Sequence, residues 1–180
     1  MVGGTAVALH IGHRMSIDFD LFKNGIIRPK ALLKKFGEHG QKAFVTLNIE
    51  RQLNLVCRNV KFKFFNCEFD VPHSIKVDNG ITIPNLLDLT AMKAYALGRR
   101  TKWKDYVDLY FILKNHFSIT EISVRAKAIY SDLFSEKLFR GQLSYFKGID
   151  YSEEVIFMPG HEVSEDEVKT FLTEAALTGF

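Results

Sequence analysis

The sequence predicts an α+β protein: a small mixed or antiparallel sheet lobe over residues 1–80, then a helical lobe over 81–180, as two units or as one continuous domain. Two observations carry this expectation. Residues 43–49, 53–58 and 60–69 are rich in β-branched, aromatic and alternating residues. The joints between them are too short for a crossover helix, so they read as three antiparallel strands. From Asn85 onward the apolar residues recur instead at helical spacing behind capping signals. The segment 78–84 is the expected boundary between the lobes.

The remaining elements follow from local chemistry. Residues 5–14 form a short helix candidate opened by Gly3 and Gly4, with Thr5 able to cap it. Residues 17–22 alternate apolar and acidic, the period of a strand, with Ile17, Phe19 and Leu21 expected to face the core. Pro29 suits a first helical position, and Ala31, Leu32, Leu33 and Phe36 follow at helical spacing. Asn85 can cap a helix running to about residue 97. Trp103, Val107, Tyr110, Phe111 and Leu113 give residues 102–115 a broad apolar face. Ser118 with Glu121, and Ser164 with Glu167, have capping-box spacing.

Composition excludes several classes. Twenty-four basic and 21 acidic residues leave a net charge of +3, neither an acidic solvating tail nor a charge that demands nucleic acid. Hydrophobic residues make up 47% of the 180, enough for a packed core. Two cysteines, Cys57 and Cys67, cannot frame a chain of this length with disulfides and read as reduced, buried thiols. No apolar run approaches the roughly 20 residues of a membrane helix. The N-terminus lacks the basic region of a signal peptide. A cytoplasmic protein with no membrane partner is expected.

Chemistry concentrates near the N-terminus. On a strand, Asp18 and Asp20 point to the same face. Two carboxylates so placed repel unless a cation sits between them, and a hard divalent ion, Mg²⁺ above all, suits them, with substrate phosphates completing its shell. Two solvated acids would give the same pattern. Upstream, Gly3-Gly4-Thr5 precedes a helix. Glycines let backbone N–H groups approach a phosphate, the helix N-terminus adds partial positive charge, and Thr5 can cap the helix or bond a phosphate oxygen.

A second cluster lies in the helical lobe. Lys93 sits inside the apolar helix and needs an anionic partner. Asp105 and Asp108, at i and i+3, share a helix face. The residues leave two readings open: Lys93 struts two helices through Asp105 or Asp108, or it acts in catalysis. Arg99, Arg100, Lys102 and Lys104 lie between, as an RNA-backbone contact or as a solvated junction. Arg14 with His13 can reach phosphate, although a surface place is expected for His13. His161 reads as a solvated loop residue.

Gly4-Thr5, twelve intervening residues and Asp18-Phe19-Asp20 resemble the signature of DNA-polymerase-β-type nucleotidyltransferases. The wider stretch 2–22, with its Gly-His-Arg and Ser-Ile-Asp-Phe-Asp-Leu-Phe elements, resembles the AbiEii-type toxins and the related MenT toxins. Residues 86–113 extend the likeness, with Lys93, Lys104, Asp105 and Asp108 at matching positions. The resemblance implies nucleotidyl transfer from an NTP. Gly3, Gly4, Thr5, Arg14 and Lys93 would then bind the nucleotide, and Asp18 and Asp20 would hold Mg²⁺. An aspartate of the Asp105 and Asp108 pair would assist catalysis or orient Lys93, with Asp108 favoured for that role and Asp105 for a local pair with Arg100 or Lys104. It further implies an acceptor hydroxyl on RNA, such as a tRNA 3′ end, or on a protein, and a cognate antitoxin as partner.

Two features depart from that pattern. Where the third carboxylate of such sites is expected, this chain carries Lys63, with Glu50, Glu68 and Asp70 as candidate substitutes. The relatives also place a strand ahead of the glycine turn, and most of it would be missing here. A catalytically inactive fold that binds nucleotide, RNA or antitoxin is therefore the alternative. A haloacid-dehalogenase-like phosphatase also uses two aspartates so spaced, but Phe22 stands where such enzymes carry Thr or Val.

Overall fold

The computed structural model describes residues 1–23, 25–77, 80–97 and 99–178. Asp78 and Asn79, at the start of the expected lobe boundary, lie outside them. The elements run α1 (Gly3–Ile11), β1 (Phe19–Lys23), α2 (Pro29–Glu38), β2 (Ala43–Ile49), β3 (Gln52–Cys57), β4 (Val60–Asn66), β5 (Ile75–Lys76) and β6 (Thr82–Ile83). They continue as α3 (Leu86–Leu97), α4 (Trp103–Asn115), α5 (Ile119–Tyr130), α6 (Glu136–Leu143) and α7 (Glu165–Leu177). The α+β class and the strand-then-helix order are as the sequence predicts.

The sheet has the order β1-β4-β3-β2. Its β2–β3 and β3–β4 pairs are antiparallel, while β1 pairs with β4 in parallel, so the sheet is mixed. Strand alternation sorts its two faces. Phe19 and Leu21 stand opposite Phe62 and Phe64, which stand opposite Leu55 and Leu53. This apolar face packs under Leu32 and Phe36 of α2 and forms a small core of its own around Leu53 and Leu55. The other face carries Asp20 directly opposite Lys63. A one-residue slip would exchange the two faces, so the apolar alternation fixes where the charged pair points.

The main core lies among the helices. It joins Ala6 and Val7 of α1 to Leu89, Ala91 and Ala94 of α3, Tyr106 and Leu109 of α4, Ile122 of α5, Leu143 of α6 and Leu172 of α7. Asn85 caps α3 by accepting the Asp88 N–H at 2.8 Å. Ser118 and Glu121 form a full capping box on α5, and Ser164 accepts the Glu167 N–H on α7. Among the described residues no helix is long and apolar enough to cross a membrane.

Three local expectations change. The first helix begins at Gly3 and ends at Ile11, and its N-cap is Val2. Thr5 is therefore inside the first turn and does not cap it. Ile17 is 62% exposed, because β1 starts only at Phe19 and Ile17 lies in the loop before it. Cys57 is buried as expected, but Cys67 is only half-buried, just past the end of β4.

Candidate active site

The site forms where the start of α1, the entry to β1 and the basic α3–α4 junction converge. Gly4, Thr5, Arg14, Asp18, Asp20, Lys63, Arg100, Lys102, Lys104, Asp105 and Glu153 line one polar pocket. Sequence separation says nothing of this convergence; the parallel β1–β4 pairing and the packing of α1 on α3 produce it.

The two glycines are there because nothing larger fits. Gly3 has a φ of 75°, the left-handed region that favours glycine, and this turns the chain sharply into α1. A Cβ at Gly3 would lie 2.2 Å from the Asp20 carboxylate, and one at Gly4 would lie 2.4 Å from the Arg14 guanidinium. The backbone at the helix N-terminus thus touches one acid and one base of the site. Val2 N–H donates to the Asp20 carbonyl at 2.8 Å and ties the turn to β1. The Thr5 hydroxyl donates to the Asp18 carbonyl and pairs with Ser16 Oγ at 2.8 Å. That hydroxyl is a tether for the Asp18 loop, which leaves the Thr5 backbone N–H for an anion.

Asp18 and Asp20 are partly exposed, and both face Lys63. The ammonium lies 3.6 Å from Asp18 Oδ2 and 3.7 Å from Asp20 Oδ1. Asp20 Oδ1 is buried and makes no hydrogen bond among the described residues. Burial pushes the Asp20 carboxyl above its usual range, against the opposing charges of Lys63, Arg100 and Lys93.

Beside this loose trio lies a tight knot. Asp108 is fully buried. Its Oδ1 accepts from His13 Nε2 at 2.7 Å and from Arg14 Nε at 2.6 Å; its Oδ2 accepts from Arg14 Nη2 at 3.0 Å and lies 2.5 Å from Lys93 Nζ. Burial alone would raise this carboxyl, but the charges of Lys93 and Arg14 and the hydrogen bonds from His13 and Arg14 hold it well below the ordinary range. Lys93 also donates to Asp105 at 2.7 Å, and Arg100 donates to the other oxygen of Asp105 at 2.9 Å. Burial would lower the Lys93 ammonium, yet Asp105 and Asp108 raise it.

The placement of each expected residue is then plain. Lys93 is a strut between α3 and α4, its side chain only 4% exposed. Asp105 pairs with Arg100, and it also lines the pocket. Asp108 lies behind the pocket wall, below Arg14. Lys104 pairs with Glu153, not Asp105. His13 is buried, not at the surface, because the loop after α1 turns it inward onto Asp108 and Phe111. His161 is half-buried beside the Phe111 ring, where a solvated loop was expected. The candidate third acids are elsewhere: Glu68 pairs with Arg51, Asp70 lines a separate cavity with Met1, and Glu50 is exposed in the β2–β3 turn.

Glu153 carried no sequence signal. A strap brings it in. Trp103 N–H donates to Asp150 O, Met15 N–H to Ile156 O, and Met158 N–H to His13 O, at 2.8–3.0 Å. The strap so bonded passes from the α3–α4 junction to the loop before β1. Its Glu153 pairs with Lys102 and, at 3.5 Å, with Lys104. Burial would raise the Glu153 carboxyl, but Lys102 and then Lys104 and Lys63 draw it down to about 2.

The donor set fits one hard cation. Two carboxylates converge on one space, one oxygen lacks a hydrogen bond, and the glycine backbone leaves room beside them. Among the described residues no cluster of three or more His, Cys, Asp or Glu side chains is arranged to hold a metal, so the rest of such an ion's shell would come from substrate phosphates and water.

No protein-family model matches the sequence. An uncharacterized protein of Aquifex aeolicus, aq_aa25, is 28% identical over 174 residues, covering 86% of this chain and 76% of its own. Among solved structures, JHP933 from Helicobacter pylori superposes with a TM-score of 0.56 at 18% identity, covering 96% of this chain and 79% of that one. MenT4, the nucleotidyltransferase toxin Rv2826c of Mycobacterium tuberculosis, superposes with a TM-score of 0.59 at 14% identity, covering 97% of this chain and 73% of that one. The chain has a nucleotidyltransferase-like fold.

Proposed function

We propose that the chain is a nucleotidyltransferase that moves NMP from an NTP to a hydroxyl of RNA, a tRNA 3′ end among the candidates, or of a protein. It would act in the cytoplasm as the AbiEii-like toxin of a toxin–antitoxin or abortive-infection pair, with a cognate antitoxin as partner. The observation that carries this reading is the contact of the glycine turn with Asp20 inside a pocket lined by Arg14, Lys63, Arg100, Lys102 and Lys104.

Each part has a chemical task there. The N-terminal N–H groups of α1, at Gly3, Gly4 and Thr5, meet the outer phosphates with the positive end of the helix dipole. Lys102, Lys104 and Arg100 supply the charge that draws a triphosphate in. Arg14 is locked on Asp108 and holds the pocket floor in place. Asp18 and Asp20 would hold one Mg²⁺, whose chemistry is to neutralise the charge that builds on the phosphates during transfer. The acceptor hydroxyl gives its proton to water and forms its bond to the α-phosphorus as the bond to pyrophosphate breaks. Fixed charges poised around that centre lower the barrier without reorganising.

Incubation with α-labelled NTP, Mg²⁺ and total RNA or protein is the test. Label should pass to an acceptor and pyrophosphate should appear, and both should vanish in the Asp18→Asn, Asp20→Asn double variant. Undiminished transfer by that variant would remove the assignment. The placement of Lys63 between the acids favours a second reading, a catalytically inactive fold that still binds nucleotide, RNA or antitoxin. Calorimetry separates the two: NTP and Mg²⁺ bound with no pyrophosphate released supports the inactive form.

A further inference from the structure

The charges of the pocket can be matched pair by pair. Arg14 belongs to Asp108, Lys93 to Asp105 and Asp108, Arg100 to Asp105, and Lys102 and Lys104 to Glu153. Among the described residues the cation within 4 Å of Asp18 and Asp20 is Lys63, with Arg100 and Lys93 acting on Asp20 from farther away. The two kinds of pairing differ in geometry. Lys93 sits 2.5–2.7 Å from its acids with a side chain 4% exposed. Lys63 sits 3.6–3.7 Å from its acids, beyond a direct hydrogen bond, with a side chain 24% exposed. A compact ammonium on a flexible four-carbon stem, reached by solvent and not hydrogen-bonded to either acid, can leave. The register fixes it opposite Asp20 on β4, on the strand position where the sequence pattern led to an acid.

We propose that Lys63 is a built-in counter-ion of the Asp18–Asp20 pair, a lock that a divalent cation must displace in order to load. It rests on the reading of those two acids as the metal pair, and it adds what regulates that pair. In the resting chain the ammonium offsets one of the two negative charges and holds the space between the carboxylates, which keeps the bare ion out. A triphosphate entering the basic side of the pocket offers Lys63 another anion, so the ion and the nucleotide load together. Free divalent ion alone then binds weakly, and the chain does not hold a metal it cannot use.

The test is Mn²⁺ titration of the full chain without nucleotide, followed by calorimetry and by the Mn²⁺ spin-resonance signal. The wild type should bind weakly. Lys63→Met should bind one ion about tenfold more tightly or better, because an adjacent unit charge is worth about one to three pKa units to the same oxygens. Adding Asp18→Asn and Asp20→Asn should abolish that gain. Lys63→Met should also melt lower than wild type without metal and recover when Mn²⁺ is added, since its acids repel until an ion arrives. Lys63→Arg should keep the lock. Equal Mn²⁺ affinity in wild type and Lys63→Met, or tight binding that survives loss of both acids, overturns the proposal. Amine labelling of the wild type covers the case in which Lys63→Met does not fold. With saturating Mn²⁺ and no nucleotide, Lys63 should react faster with an acylating reagent, because the ion displaces its ammonium from the acids, and an unchanged rate at saturation overturns the lock. These readouts are independent of turnover. Tight metal binding by Lys63→Met with no nucleotidyl transfer by any form keeps the lock and removes the enzyme; transfer with unchanged metal affinity does the reverse.

Discussion

Two groups of charged residues lie side by side in this molecule and are built oppositely. Around Asp108 one carboxylate receives His13, Arg14 and Lys93 at 2.5–3.0 Å and is sealed from water. Around Lys63 two carboxylates share one ammonium at 3.6–3.7 Å in a pocket open to solvent. The residue types are similar; the balance of charge, the distances and the exposure are not. A buried acid with more cations than it needs is a fastener, because removing one partner leaves uncompensated charge in the interior. Two acids with too few cations, half in water, form a place for something to bind. The knot also serves the pocket: it clamps Arg14 against Gly4 and holds α3 on α4, the helices that bring Arg100 and Asp105 to the rim.

The comparison predicts that the largest loss of stability comes from the knot. Asp108→Ala should cost about 3–5 kcal/mol in denaturant unfolding, the usual cost of breaking a buried ion pair. A loss of less than ~1 kcal/mol would show that the knot is not a fastener. The knot should also leave a mark on the pH profile. The Asp108 carboxyl is held below its unfolded value, so its contribution is full above about pH 4 and is lost as the pH falls toward its folded value. The acid limb of the stability curve should therefore be shallower in Asp108→Asn than in wild type. The Lys93 ammonium is raised, so its share persists below about pH 10 and fades as the pH climbs past its unfolded value. Gly3→Ala should have a smaller effect on stability, about 1–3 kcal/mol, since a side chain at a φ of 75° is strained and its Cβ meets the Asp20 carboxylate. Its effect on nucleotidyl transfer should exceed its effect on the fold, and equal small losses in both would break the contrast between fastener and site.

Much of this was legible in the sequence, and the parts that were not share a cause. The strand at Ala43–Ile49, the Pro29 helix start and the Ser118 capping box are local signals, readable within one turn or one pleat. The Asp18–Asp20 pair and the glycine turn were legible because spacing puts them on one face and at one helix end. His13, Glu153 and the parallel β1–β4 pairing were not. His13 meets a partner 95 residues away. Glu153 reaches the pocket on a strap tied by backbone bonds to Thr101, Trp103, His13 and Met15, all distant in sequence. β1 and β4 are neighbours in the sheet although α2, β2 and β3 separate them in sequence. Lys63 was visible as a missing acid, and only the register across β1 and β4 turns it into a present cation.

The contrast is tested most directly at Asp18, which belongs to the open pair and not to the knot. Asp18→Asn should unfold within about 1 kcal/mol of wild type, as expected for a half-exposed acid with one loose partner. The same variant should lose nucleotidyl transfer from α-labelled NTP by about a hundredfold or more, the scale on which removing one preorganised group from a transfer site acts. Transfer at the wild-type rate by a fully folded Asp18→Asn protein would contradict the assignment of that pair as the reacting centre.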